Sequence, residues 1–399
     1  MPTRTALGLP DVRGRVPLLA CLAIDSFGGG CVAPLLLLFL NHVDRIPLGR
    51  AGLIITLASL ASIAVPAVVA QLIDRFGSRN LVLFAQVAQC AAYVVFLTGR
   101  SEVLVFGCAL VAVAGQRMFW SSIFSLLSDV AGDGDRDRWF ALGGMMQSTG
   151  FGLGSLAAGV LLAIGGNGPL IAAMAVNATT FLVAAGLLTR LRVHHEPVRL
   201  NGARQVRLRD DPPFVALIAV NGVLALCLML LGVGLSVYVV EALPAPGWIV
   251  GVLLALVSVA LATTQTVVVR RSAGRRRTRV LSLAGVLLAA WGLLMAALLH
   301  LPAVLVVPVL LLATLAFAAG SVMHSATSNA LAAAISPAEG RGKYLSYWQY
   351  SFTLAQVVVP AFFAQLFDVR ADLPWLVAAV LALGAAVAVV VLEPRLPRS

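Results

Sequence analysis

Apolar residues in this chain come in long runs separated by short polar links. Twelve such runs lie at approximately 16–40, 48–73, 80–99, 103–129, 139–164, 168–190, 212–240, 247–269, 279–300, 303–335, 343–367 and 372–392. A helix of about 20 residues crosses ~30 Å of hydrocarbon at 1.5 Å per residue. The pattern therefore predicts an all-α integral membrane protein with twelve transmembrane helices. The first run is too long for a cleavable leader, and a charge interrupts it. Residues 191–211 form the only sizeable link without a span. They divide the chain into an N-terminal six-helix bundle (1–190), a basic linker (191–211) and a C-terminal six-helix bundle (212–399).

The two halves resemble each other. Ala23-Ile24-Asp25 corresponds to Ala219-Val220-Asn221, and Gly77 to Gly274. Ala114-Gly115-Gln116-Arg117-Met118 corresponds to Ala319-Gly320-Ser321-Val322-Met323. With six spans each, both halves start on the same side, so they are parallel repeats. Such halves place a substrate site between them near the bilayer midplane.

Composition supports this reading: 60% of the 399 residues are hydrophobic and 11% are charged, against roughly 25% charged in a soluble domain. A net charge of +11 would suit a nucleic-acid binder, but its placement excludes that class. With the N-terminus in the cytoplasm, the outer links hold only Arg45, Arg50, Arg100 and Arg370, and Arg117 lies inside a span; the other Lys and Arg are cytoplasmic. This is the positive-inside asymmetry. It predicts a multi-pass protein of the cytoplasmic membrane with both termini cytoplasmic and no nucleic-acid partner. The five cysteines all fall within spans and read as packing residues. No metal-ligand cluster, phosphate-binding loop or catalytic constellation stands out, so no metal, no cofactor beyond a proton gradient and no enzyme activity are expected.

Two opposite charges interrupt the runs: Asp25 in span one and Arg117 in span four. Each costs roughly 2.5–3.5 kcal/mol at a membrane-helix centre on insertion scales. Both lie ~13–16 Å from the cytoplasmic end of their span at 1.5 Å per residue. They are expected to face each other or a shared cavity. Protonation of Asp25 would then couple transport to the proton gradient; a fixed ion pair orienting two helices is the alternative. A histidine side chain ordinarily titrates near neutral pH, so His324, in span ten, is either a proton carrier or a packing histidine. Asn221, the repeat partner of Asp25, is a candidate cavity donor. Trp120, Ser121 and Phe124 share Arg117's side of span four by spacing. Trp348 and Phe352 in span eleven could stack on a flat or cationic substrate.

The loop after span two, Ala70-Gln71-Leu72-Ile73-Asp74-Arg75-Phe76-Gly77-Ser78-Arg79-Asn80, resembles the loop 2–3 signature G-x-x-x-D-R-x-G-R-[KR] of the major facilitator superfamily (MFS). Asp74, Arg75, Gly77 and Arg79 match it, while Ala70, Ser78 and Asn80 depart. The C-terminal copy, Arg271-Ser272-Ala273-Gly274-Arg275-Arg276-Arg277, lacks the acid. The resemblance implies the MFS fold and a cytoplasmic gate in which Arg79 pairs with Asp129. In span five, Gly150-x-x-x-Gly154 with Gly159 is similar to an exporter pattern, with Leu156 and Val160 as departures; helix packing explains it equally. The resemblance implies a monomeric secondary active transporter in the lipid bilayer, moving protons and a small organic, amphipathic substrate, by proton-coupled efflux. An importer or facilitator of an organic anion, with Arg117 as the contact, is the alternative. A non-transporting receptor or scaffold is the alternative of another class.

Overall fold

Lipid leaves a peptide group no partner outside the chain, so each apolar run satisfies its own backbone as a helix. The computed structural model describes residues 15–98, 101–131, 136–191, 211–272, 276–336 and 341–395. They form α1 (Val16–Val32), α2 (Leu36–His42), α3 (Leu48–Ala61), α4 (Val65–Phe76), α5 (Ser78–Phe96), α6 (Glu102–Ala131), α7 (Arg136–Ile164) and α8 (Asn167–Thr189). Then follow α9 (Pro212–Ala242), α10 (Ile249–Ser272), α11 (Arg277–Ala297), α12 (Ala303–Ile335), α13 (Arg341–Val369) and α14 (Leu373–Leu392). Ten described spans are individually long and apolar enough to cross a membrane, and the bent pair α1–α2 makes an eleventh. In α10 the described apolar stretch is Ile249–Leu261, in the place of predicted span eight. The twelve spans thus follow the predicted order.

Two spans are interrupted where proline removes a backbone N–H. Span one bends by 46° between α1 and α2, with Pro34 in the gap. Span two is interrupted between α3 and α4, with Pro66 one residue into α4.

The chain divides into two compact units: residues 1–47 with 57–199, and residues 48–56 with 200–399. The basic linker lies almost wholly outside the described residues. In the first unit, α1 packs on α7 and α8, α5 on α6 and α8, and α4 on α6. In the second, α9 packs on α13 and α14, α11 on α12 and α14, and α10 on α12. Matching span numbers shows the same neighbours in both units, which is the internal repeat in three dimensions.

The core of the first unit gathers Leu18, Leu22, Val82, Phe119, Ile123, Leu127, Trp139 and Leu188. In the second, Trp291, Trp375, Tyr238 and Phe363 interlock at ring separations of 4.9 to 5.8 Å with one another or with Phe317. The Tyr238 hydroxyl donates to the Met295 carbonyl at 2.7 Å, so its polar tip is satisfied. Large apolar side chains such as Phe84, Val103, Val304 and Val380 remain exposed, as lipid contact requires.

Small residues allow the closest approach. A side-chain carbon at Gly150 would stand 2.2 Å from the Ala23 carbonyl oxygen, and one at Gly154 would stand 2.0 Å from that of Phe27. Gly30 in α1 has the same relation to Phe151, at 2.2 Å. Gly159 is also buried. The glycine pattern of span five therefore packs α7 directly against the backbone of α1. Gly154→Leu is expected to destabilise the protein by about 2–3 kcal/mol, the usual scale of overpacking. A fluorescence-detected thermal unfolding series in detergent checks this, with exposed Gly144→Leu as the neutral control.

Candidate functional site

Asp25 lies midway along α1, three residues before the glycine run Gly28-Gly29-Gly30. It is half-buried. Its Oδ1 accepts a hydrogen bond from Gln86 Nε2 of α5 at 2.8 Å. Gln86 is fully buried and its Oε1 has no partner. Beside it, Gly28 fits against Asn177 and Thr180 of α8, where a side-chain carbon would stand 2.1 Å from the Thr180 hydroxyl oxygen. Thr180 donates to the Asn177 carbonyl at 2.8 Å. Asp25 thus belongs to a polar cluster shared by α1, α5 and α8.

Arg117 belongs elsewhere. Its Nε donates to Ser62 Oγ at 3.0 Å, and its Nη2 lies 3.5 Å from the Ser59 carbonyl oxygen. Both serines flank the interruption in span two. No ion pair joins Asp25 to Arg117 among the described residues. The expectation that the two charges meet is corrected: equal depth does not give equal facing, and each charge has turned to a different neighbour. Ser121 uses its hydroxyl on the Arg117 carbonyl at 2.8 Å. Trp120 and Phe124 are exposed and stack with each other at 6.0 Å, and Phe124 meets Phe140 at 6.0 Å.

In the second unit, three predicted residues come together, but in the interior. His324 Nε2 lies 2.9 Å from Asn221 Oδ1, Asn221 Nδ2 donates to Ser351 Oγ at 2.6 Å, and Ser351 donates to the Trp348 carbonyl at 2.6 Å. Trp348 Nε1 donates to Asn329 at 3.1 Å, and Phe352 meets the His324 ring at 6.0 Å. Asn221, His324 and Trp348 are at most 1% exposed. For His324 this is the packing alternative; Asn221 and Trp348, the candidate cavity residues beside it, are hydrogen-bonded in the same interior network. A groove of about 660 Å³ between α5 and α6, lined by residues such as Ala91, Gly107 and Cys108, holds none of the candidate residues.

At the loop 2–3 signature, Gly77 adopts φ +79°, a conformation that glycine tolerates and other residues resist. The expected Arg79–Asp129 pair does not form. Arg79 donates from Nε to the Leu188 carbonyl at 2.9 Å and from Nη2 to that of Thr189 at 2.8 Å, capping the C-terminus of α8, where the helix dipole favours a cation. Asp129 instead accepts from Ser78 Oγ at 2.6 Å. Arg75 lies over the Phe76 ring. The Asp74 side chain lies outside the described residues. The second unit ties the corresponding helix ends by charge: Arg276, before α11, hydrogen-bonds Glu393 just past α14, and Arg279 lies 3.8 Å away.

The residues that sequence reasoning missed are Gln86, Ser59 and Ser62. Their signal was present as polar residues three apart in apolar runs: Gln86 with Gln89, and Ser59 with Ser62.

The sequence pattern of the Major Facilitator Superfamily matches residues 18–328. The chain belongs to that superfamily. This member is similar to the tetracycline resistance protein, class G, of Vibrio anguillarum, with 26% identity over 200 residues, 48% of this chain. The match spans 50% of that relative's length. Among solved structures, the nucleoside transporter NupG covers 95% of this chain and 99% of its own at a TM-score of 0.78 and 10% identity. A POT peptide transporter reaches a TM-score of 0.78 at 13% identity, covering 99% and 96% of the two chains. A bacterial homologue of the iron transporter ferroportin, in an inward-facing state, reaches 0.76 at 16% identity, covering 96% and 99%. At these identities the structures establish the fold. The MFS member is a multi-pass membrane transporter and not an enzyme.

The Glu393 cluster gives a pH test. Its hydrogen bond with Arg276 holds the carboxyl below its ordinary value of 4.5. The native state therefore gains stability from Glu393 above pH 4.5 and loses it as the pH falls through the lowered value. Glu393→Gln is expected to lower the unfolding temperature slightly at pH 7, with the difference from the parent shrinking as the pH falls below 4.5. Thermal unfolding across a pH series measures it.

Proposed function

We propose that this protein is a proton-coupled exporter of a small amphipathic organic compound, working by alternating access in the cytoplasmic membrane with both termini in the cytoplasm. The observation that carries the reading is the setting of Asp25. It is a carboxyl in mid-span whose hydrogen-bonded partner is a neutral amide, Gln86. A buried ion pair fixes its acid in the charged form, because separating the partners leaves an uncompensated charge. An amide partner allows the carboxyl to pass through both forms without stranding a cation. Buried ionisable groups of this kind mark proton pathways in membrane proteins.

The similarity to a tetracycline resistance protein supports export. So does the apolar make-up of the spans, which suits a compound with few charges. Trp120 and Phe124, exposed on α6 near Arg117, are the proposed aromatic contacts. A second reading, uptake or facilitated passage of a small organic anion, is favoured by Arg117 itself. Among the described residues its guanidinium has only serine partners and leaves bidentate capacity for a carboxylate.

Proteoliposomes carrying an imposed pH gradient test both readings over a compound panel that begins with a tetracycline. Proton flux opposite to substrate is expected. Asp25→Asn keeps a partner for Gln86 and should lower gradient-driven transport at least tenfold while sparing substrate exchange without a gradient. Undiminished proton-driven transport in that variant refutes the role of Asp25. Substrate movement indifferent to pH supports the anion facilitator instead.

A further inference from the structure

The polar groups around Arg117 are the ends of a broken helix. In an unbroken span two, Ile63 N–H would bond the Ser59 carbonyl four residues back. It turns instead to the Leu60 carbonyl at 3.1 Å. Pro66 has no N–H to offer Ser62, so the Ser62 carbonyl takes Val65 N–H at 3.1 Å. The Ser59 carbonyl is released from the backbone ladder, on the buried face of the segment: Ser59 is 4% exposed and Ser62 is 1% exposed. Left unpaired, such a carbonyl costs several kcal/mol in lipid. Two side chains satisfy it. Ser62 Oγ donates to it at 2.9 Å, and the Arg117 guanidinium reaches both that oxygen and Ser62 Oγ. The end of α3 is a helix C-terminus, where a cation is favoured. Despite the gap, residues 48–69 still run as one span.

We propose that Ser62–Pro66 is a hinge of span two and that Arg117 is its clasp, a positioning residue that keeps α3 and α4 in line. The two ends of the span are anchored separately. Within the second unit, Gly49 N–H donates to Asp368 Oδ2 at 2.9 Å and Gln365 Nε2 donates to the Gly49 carbonyl at 3.0 Å. Ala361 N–H, next to Pro360, donates to Thr56 Oγ at 3.0 Å. Within the first unit, α4 packs on α5 and α6. The hinge lies between these anchorages, a few residues from Leu57, where the chain passes from one unit to the other. A carboxylate that reached Arg117 would outcompete a serine hydroxyl, since it adds an opposite charge and takes two parallel hydrogen bonds from the guanidinium. A small organic anion is thus the class of ligand that would open the clasp. That last step rests on the transport reading; the clasp itself does not.

Distances across the hinge test it without any transport. In a cysteine-free background of the full chain in lipid nanodiscs, Leu57→Cys and Phe76→Cys, both in the first unit, carry spin labels at exposed positions, ~29 Å apart along a straight helix. One narrow distance is expected with Arg117 present. Arg117→Gln should broaden it or add a second distance, and Ser62→Ala should act the same way to a smaller extent. Pro66→Ala restores the missing N–H and should return the Arg117→Gln variant to one narrow distance. Unchanged distances in both Arg117→Gln and Ser62→Ala overturn the clasp, even if proton-driven transport is found. Distances that respond as expected uphold it, even if no compound is transported.

Discussion

A bilayer gives no water to a peptide group or a charge, and every polar feature of this protein is arranged around that lack. Asp25 is met by the Gln86 amide, Arg117 by the Ser62 hydroxyl and the released Ser59 carbonyl, and His324 by Asn221. None of these partners is charged. A set of neutral partners satisfies the groups while leaving their charges unspent. Soluble proteins let water do this work; here hydrogen bonds come from the residue's own helix, as for Ser121, or from a neighbouring one, as for Asp25.

The internal repeat separates what the fold requires from what this chain has added. Both units use the same helix neighbours, so the packing belongs to the architecture. The polar filling does not repeat. Asp25 turns to α5, whereas its counterpart Asn221 turns to α12 and α13. The membrane-surface ties differ in chemistry but not in place. Arg79 joins the start of α5 to the last carbonyls of α8, and Arg276 joins the start of α11 to Glu393 after α14. Each tie holds spans three and six of its half together at one end, as a bundle that moves as a unit requires.

The spans were legible in the sequence because hydropathy and length decide whether a segment crosses a membrane. The glycines of span five were also legible: four-residue spacing puts Gly150 and Gly154 on one face, and that face meets α1. The partners of the buried charges were not. Residue count gives depth, and depth alone brought Asp25 and Arg117 together on paper. Rotation about the helix axis decides which neighbour a side chain meets, and an almost uniformly apolar helix carries little sequence signal of its rotation. The interruption of span two was hidden for a related reason. Ser62, Ile63 and Ala64 keep the run apolar enough to cross, so hydropathy passes over the gap, and only Pro66 marks it.

Keeping the two charges apart has a thermodynamic consequence. In a direct pair, each group's state is tied to the other, and withdrawing either leaves an uncompensated charge that costs 3–5 kcal/mol in a buried setting. With separate neutral partners, a change at Asp25 need not break a bond at Arg117, and a ligand at Arg117 displaces only a hydroxyl and a weak carbonyl contact. Each group can then change its bonding without forcing a change at the other. Any coupling between them would pass through the helices that hold their partners, span three for Asp25 and span two for Arg117. Span two is suited to that role: its hydrogen-bond ladder is already open at mid-membrane, and the groups that close the opening belong to Arg117 and Ser62.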